Sequence, residues 1–174
     1  MTGLIKEKNL LSKKDIIQLA VLAAVMFLLM KVFFILAFVP TGSMETTIKT
    51  HSAVIGWRLS YLLSDPVPER GDIIVFDHEE FDKHLVKRVI GLPGDEVLIS
   101  GGKVYINGEE LVEPYLPEKD NGSHDEQFTV PTGKLLVLGD NRNYSNDSRF
   151  WNNPFVDIKK VYAKVILRIN IPLY

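Results

Sequence analysis

The sequence predicts a mostly β body carried behind a single membrane-spanning helix. Three observations lead there. Residues 16–39 form an almost wholly apolar run in which only Gln18 and Lys31 are strongly polar. After Pro40 the helical period disappears, and short β-type runs separated by Gly, Pro, Asn and Asp clusters take over. The chain has no cysteine, so no disulfide can form and the body must hold together by its apolar core alone.

Taken in order, residues 1–15 place Lys6, Lys8, Lys13 and Lys14 against Glu7 and Asp15. A basic segment before an apolar run marks the cytoplasmic side, so residues 40–174 are expected outside the membrane. As a helix, residues 16–39 would be about 36 Å long, against a hydrocarbon core of about 30 Å. The run is too long for a secretory signal peptide. Ala37-Phe38-Val39-Pro40 also offers Phe and Pro where a cleavage site needs small residues. The segment reads as an uncleaved anchor in the lipid bilayer, with Lys31 snorkelling its ammonium to the outer interface.

Beyond the anchor, residues 53–58 read as a strand, residues 65–68 as a turn and residues 72–76 as a strongly apolar strand. Residues 85–90 form another, ended by Gly91-Leu92-Pro93-Gly94. Residues 97–99 and 104–106 flank Gly101-Gly102, and Asn107-Gly108 turns the chain towards Leu111-Val112, which together suggest a small meander. Residues 135–138 and 161–169 complete a set expected to build a coiled or barrel-like antiparallel sheet. Residues 117–127 read as an exposed loop.

The net charge of −2 divides into +3 over residues 1–39 and −5 over the rest. A net-acidic body argues against a nucleic-acid partner, which needs clustered Lys and Arg. His51, His78, His84 and His124 lack metal-ligand spacing and read as surface histidines, so no metal or other cofactor is expected. Asn-x-Ser sequons occur at Asn121, Asn143 and Asn146, and the last two fall inside a motif described below.

Directly after the apolar run comes Pro40-Thr41-Gly42-Ser43-Met44-Glu45-Thr46-Thr47. A glycine before a serine in an irregular turn lets backbone approach closely and leaves the hydroxyl exposed. A serine hydroxyl needs a base to become a nucleophile. No His-plus-Asp arrangement is obvious, which turns attention to a Ser-Lys pair. Lys87 shares a strand face with Leu85 and Val89. An ammonium there loses hydration, which lowers its pKa and lets the neutral amine accept a proton. Alone, each residue is ordinary: Gly-Ser is common in linkers, and strand lysines are usually solvated.

The motifs in order change that. Pro40-Thr41-Gly42-Ser43-Met44 is followed by Arg70-Gly71-Asp72-Ile73-Ile74-Val75-Phe76. Then come Lys87-Arg88-Val89-Ile90-Gly91-Leu92-Pro93-Gly94-Asp95 and Gly139-Asp140-Asn141-Arg142-Asn143-Tyr144-Ser145-Asn146-Asp147-Ser148-Arg149. The set resembles the bacterial type I signal peptidases, membrane-bound serine proteases that remove signal peptides from exported preproteins. The resemblance runs from the anchor to the C-terminus. It implies a catalytic domain of coiled antiparallel β-sheets, with Ser43 as nucleophile and Lys87 as general base. Ser145 would hydrogen-bond the Lys87 amine, and the Thr41 hydroxyl would join the Ser43 N–H as oxyanion donors. Val39, Met44, Ile48 and Val86 fall where the family lines shallow pockets for small side chains at positions −1 and −3 of the substrate. Asp140, Arg142, Asp147 and Arg149 would form a charged scaffold. Signal peptides of preproteins are the implied substrates, and proximity to the secretion translocon is implied with them.

Two departures stand out. The family usually has Pro three residues after the nucleophile, where this chain has Thr46. Beyond Arg149 the family continues with an aromatic and Gly, where this chain has Phe150-Trp151-Asn152-Asn153-Pro154. Two other readings are weighed against the peptidase. A self-cleaving repressor would need a DNA-binding domain where the anchor stands. A dedicated or non-catalytic assembly factor or chaperone for a few surface proteins, such as fibre subunits, would be expected to lose Ser43, Lys87 or Ser145. Ser43 lies three residues beyond Pro40, close to where a signal peptide's scissile bond leaves the bilayer. Tethering both partners to one surface raises their effective concentration.

Overall fold

Ser12 opens the first element by a reciprocal cap, its hydroxyl accepting from the Asp15 N–H (3.2 Å) while its own N–H donates to the Asp15 carboxylate (3.0 Å). Helix α1 then runs Lys13–Phe33 with no buried residue along it. Its 21 residues span about 32 Å, and it is long and apolar enough to cross a membrane. Lys31 lies in the last turn, its amine 5.0 Å from the Phe27 ring centroid. The computed structural model describes residues 12–58, 67–117 and 125–169. It divides into two units, one ending at Phe33 and one beginning at Phe34.

That boundary corrects the expected helix over residues 16–39. The last six residues of the run are strand β1, Phe34–Val39, paired antiparallel with β2, Ser52–Trp57, from Phe34↔Trp57 to Val39↔Ser52. A continuous apolar run carries no period that separates helix from strand, so the partner strand decides. Strand β1 turns Val39 inward and leaves Leu36 and Phe38 exposed.

Nine further strands follow among the described residues: β3 Ile73–His78, β4 Phe81–Gly91, β5 Glu96–Ser100, β6 Lys103–Ile106, β7 Glu109–Glu110, β8 Glu126–Thr129, β9 Lys134–Leu138, β10 Phe155–Asp157 and β11 Val161–Ile169. A seven-stranded antiparallel sheet has the order β1-β2-β11-β3-β4-β9-β10, and a four-stranded one the order β7-β6-β5-β8. The expected strand at Leu111-Val112 is instead the two-residue β7, two residues earlier. The start of β8 shortens the expected loop at its C-terminal end. Its residues 118–124, with Asn121 and His124, lie outside the described residues, as do 1–11 and the turn residues Asp65 and Pro66.

Strand β4 pairs with β3 from Phe81 to Arg88 but with β9 only from Arg88 onward. Strand β9 splits its side chains by the two-residue period: Leu135 and Val137 enter a cluster with Ile74, Phe76, Val89 and Trp151, while Leu136 and Leu138 enter one with Ile90, Val97, Val104 and Phe128. A third cluster holds Val39, Met44, Ile48 and Val54. One expected surface histidine is core: His78 stacks on Trp151 at 4.3 Å, and its Nε2 lies 3.0 Å from the Asn153 carbonyl oxygen. Trp151, in the segment that departs from the family pattern, fills the space between His78, Phe81 and Phe76.

Candidate active site

Pro40 ends β1, and the chain then makes a single 3₁₀ turn, Gly42–Met44. Met44 and Ile48, with no exposed surface, anchor this turn in the third cluster. Glu45 closes the loop behind it, its carboxylate accepting from the Thr50 N–H (2.9 Å) and hydroxyl (2.6 Å). These bonds hold the Glu45 carboxyl below the usual range. From the far side Asn141 donates its side-chain amide to the Gly42 carbonyl (2.9 Å) and its N–H to the Ser43 carbonyl (3.0 Å). Ser43 is thus held by its backbone. Among the described residues its hydroxyl makes no hydrogen bond.

Lys87 stands on β4 opposite Ile74 and is 4% exposed. Burial draws its amine down from 10.5 to about 8, against the pull of Asp147 and with the help of Arg149. Ser43 and Lys87 line one cleft of about 70 Å³ together with Thr41, Val39 and Val86. Thr41 is extended, and its hydroxyl makes no capping bond. Met44 and Ile48 do not line this cleft as the resemblance implied. Packing against Val39 and Val54 draws them wholly beneath the wall, which they support from the core.

Ser145 also departs from its implied partner. Its hydroxyl is buried without a hydrogen bond, so the bond to the Lys87 amine is not made in this conformation. The hydroxyl sits instead over Gly139, beside the Ser43 carbonyl: a Cβ at Gly139 would overlap both. The bare Cα of Gly139 is therefore what lets the Ser145 loop and the Ser43 turn meet.

The four scaffold residues are all buried and all paired. Arg88 forks onto Asp140 (2.8 and 2.6 Å) and donates to the Gly71 carbonyl (2.7 Å). Asp147 pairs with Arg149 (2.8 Å) and accepts from the Gly139 N–H (2.9 Å), while Arg149 also donates to the Arg142 carbonyl (2.8 Å). Arg142 pairs with Glu113, which the sequence reading did not single out. Tyr115 was missed too: its ring lies 3.8 Å from the Arg88 guanidinium, and burial beside Glu113 pushes its phenol pKa up. Arg88, Asn141 and Gly139 sat inside quoted motifs, whereas Glu113 and Tyr115 followed a short strand with nothing local to mark them. The departure at Thr46 has a structural counterpart: its φ is +87°, a value closed to proline. Among the described residues, no group of three or more His, Asp or Glu side chains is placed to hold a metal ion.

The chain matches the family model for signal peptidase, peptidase S26, over residues 13–170. It is 41% identical over 140 residues to probable signal peptidase I-2 of Synechocystis sp., covering 75% of this chain and 61% of that protein. Signal peptidase I S of Bacillus subtilis is 36% identical over 159 residues, covering 83% and 84%. Signal peptidase I of Pseudomonas aeruginosa is 32% identical over 155 residues, covering 67% and 55%. The chain thus spans less than two thirds of the length of the Synechocystis and Pseudomonas proteins. A crystal structure of a signal peptidase I from Enterococcus faecalis V583 aligns with a TM-score of 0.52 at 34% identity, over 59% of this chain and all of that one.

Proposed function

The chain belongs to the signal peptidase family, peptidase S26, and on that premise we propose that it removes signal peptides from exported preproteins as a membrane-anchored serine endopeptidase. The observation that carries the reading is Lys87: a lysine buried on the wall of the cleft that holds Ser43, with its amine drawn down to about 8. Neutral Lys87 takes the proton from the Ser43 hydroxyl as its oxygen bonds to the carbonyl carbon of the −1 residue. The Ser43 N–H and the Thr41 hydroxyl meet the developing oxyanion. The Lys87 ammonium then gives its proton to the leaving amine, which departs, and the neutral Lys87 amine next draws a proton from the water that cleaves the acyl-enzyme. The unpartnered Ser145 hydroxyl suits it to hold the amine when the site is occupied.

The substrate chain would add as a strand along the β4 edge before Arg88, which β9 leaves open. Its −1 and −3 side chains would face Val39 and Val86, walls that suit small residues. Helix α1 would cross the bilayer, with the basic N-terminus cytoplasmic and the body outside, near the point where preproteins leave the translocon.

The test is to incubate the full chain in detergent with a preprotein and sequence the new N-terminus. Native protein is expected to cut after the small −1 residue, and Ser43→Ala and Lys87→Ala each to lose cleavage while staying folded, because nucleophile and base act as a unit. Cleavage by either variant would refute the dyad.

A further inference from the structure

Thr46 is the one non-glycine residue of the nucleophile loop's first turn with a left-handed backbone, at φ +87°. For a β-branched residue that conformation is strained, and strain of this kind persists only where its surroundings impose it. The visible restraint is its hydroxyl, which donates to the Tyr115 carbonyl (3.2 Å), a residue 69 positions away in sequence.

Residues 113–116 leave the four-stranded sheet after β7 and reach three separate parts of the site. The Tyr115 carbonyl holds Thr46, three residues from the nucleophile. The Tyr115 ring covers Arg88, the neighbour of the general base. Glu113, which accepts from the Tyr115 hydroxyl (2.5 Å), pairs with Arg142 (3.0 Å) on the loop that carries Ser145. The Glu113 and Arg142 side chains are 6% and 3% exposed, and a buried pair of this kind fixes a geometry rather than adding much stability.

We propose that residues 113–116 form a strap that sets the position of the nucleophile relative to the base, and that Thr46 is the positioning residue through which the strap holds the nucleophile turn. The proposal rests on the peptidase reading of Ser43 and Lys87. It goes beyond that reading by making the second sheet a working part of the site. Loosening the latch lets Ser43 drift from Lys87 while the cleft walls stay in place, so the loss falls on kcat and not on KM.

The experiment uses the full chain in detergent with one preprotein, comparing Thr46→Val, Thr46→Ser and Thr46→Pro. Valine keeps the branched shape and removes the hydroxyl, and should lower kcat about fivefold to tenfold, the worth of one hydrogen bond, with KM within about twofold. Serine should restore the rate. Proline cannot take the left-handed backbone and should lower kcat on the order of a hundredfold, as a displacement of about 1 Å does. Hydrogen exchange at the amides of residues 42–48 reads the latch without catalysis, and should quicken in the valine variant. Native rates and exchange in Thr46→Val, a serine variant as impaired as valine, or a loss confined to KM would each overturn the latch. Failure of the native protein to cut any preprotein, with faster exchange still present in Thr46→Val, would remove the peptidase reading and leave the latch standing.

Discussion

Burying the Lys87 amine works against folding and in favour of chemistry. Its value of about 8 in the native protein lies below the ordinary 10.5 because burial disfavours the charged form. Between those two values the unfolded chain binds more protons than the folded one. The stability contributed by this group therefore rises with pH through that window and is fully penalised below it. A gap of that size corresponds to about 3 kcal/mol. Lys87→Met keeps the volume and removes the charge, so at pH 7 it should unfold at higher denaturant concentration, gaining up to about 3 kcal/mol, while cleavage is lost. The gain should shrink as pH rises from about 8 and be gone above about 10.5; a variant less stable than native at pH 7 would contradict the burial account. Gly139 poses the opposite problem. A Cβ there meets the Ser43 backbone oxygen, which cannot swing aside. Gly139→Ala is expected to lower stability by about 1–3 kcal/mol and kcat at least tenfold, read by thermal unfolding and preprotein cleavage. Ser43, Lys87 and the buried Asp140, Arg142, Asp147 and Arg149 could be named from the motifs, but not the Glu113 partner of Arg142. That Ser145 would rest over Gly139 could not, because the contact depends on a missing side chain.

At the scale of elements, the legible strands were those bounded by turns, such as β5 and β6 around Gly101-Gly102 and the long β11. Strand β1 was hidden because its six residues continue the apolar run of α1, and only pairing with β2 distinguishes them. Strands β8 and β10 are too short to show a period, at four and three residues. The strap was illegible for another reason: Glu113 and Tyr115 gain their roles from Arg142 and Arg88, which are remote in sequence. Strands β1 and β4 supply Val39 and Val86 to the cleft, and this placement predicts its selectivity. A preprotein with Ala at −1 should be cut with kcat/KM on the order of a hundred times that of one with Leu, since a bulky side chain displaces the carbonyl from Ser43. The same exchange at −2, which in the proposed strand addition would point away, should change little. Equal rates for Ala and Leu at −1 would refute the pocket assignment.

Helix α1 and the apolar clusters draw on separate stretches of the chain. All three apolar clusters are drawn from residues beyond Phe33, so a fragment of residues 34–174 should retain the β signature in circular dichroism and melt within a few degrees of the full chain. Loss of cooperative melting would show that α1 contributes to the core. The basic N-terminus and apolar run suggested a boundary at Val39, whereas the two compact units divide at Phe33. The proposed mechanism turns on a buried, neutral lysine that activates Ser43. The most direct measurement is kcat/KM for one preprotein from pH 5 to 10, which reports the free enzyme's essential groups. With Lys87 as base the rate should rise about tenfold per pH unit, bend near pH 8 and then level. A profile already level at pH 6, governed by a group near pH 4, would assign the proton transfer to a carboxylate and contradict it.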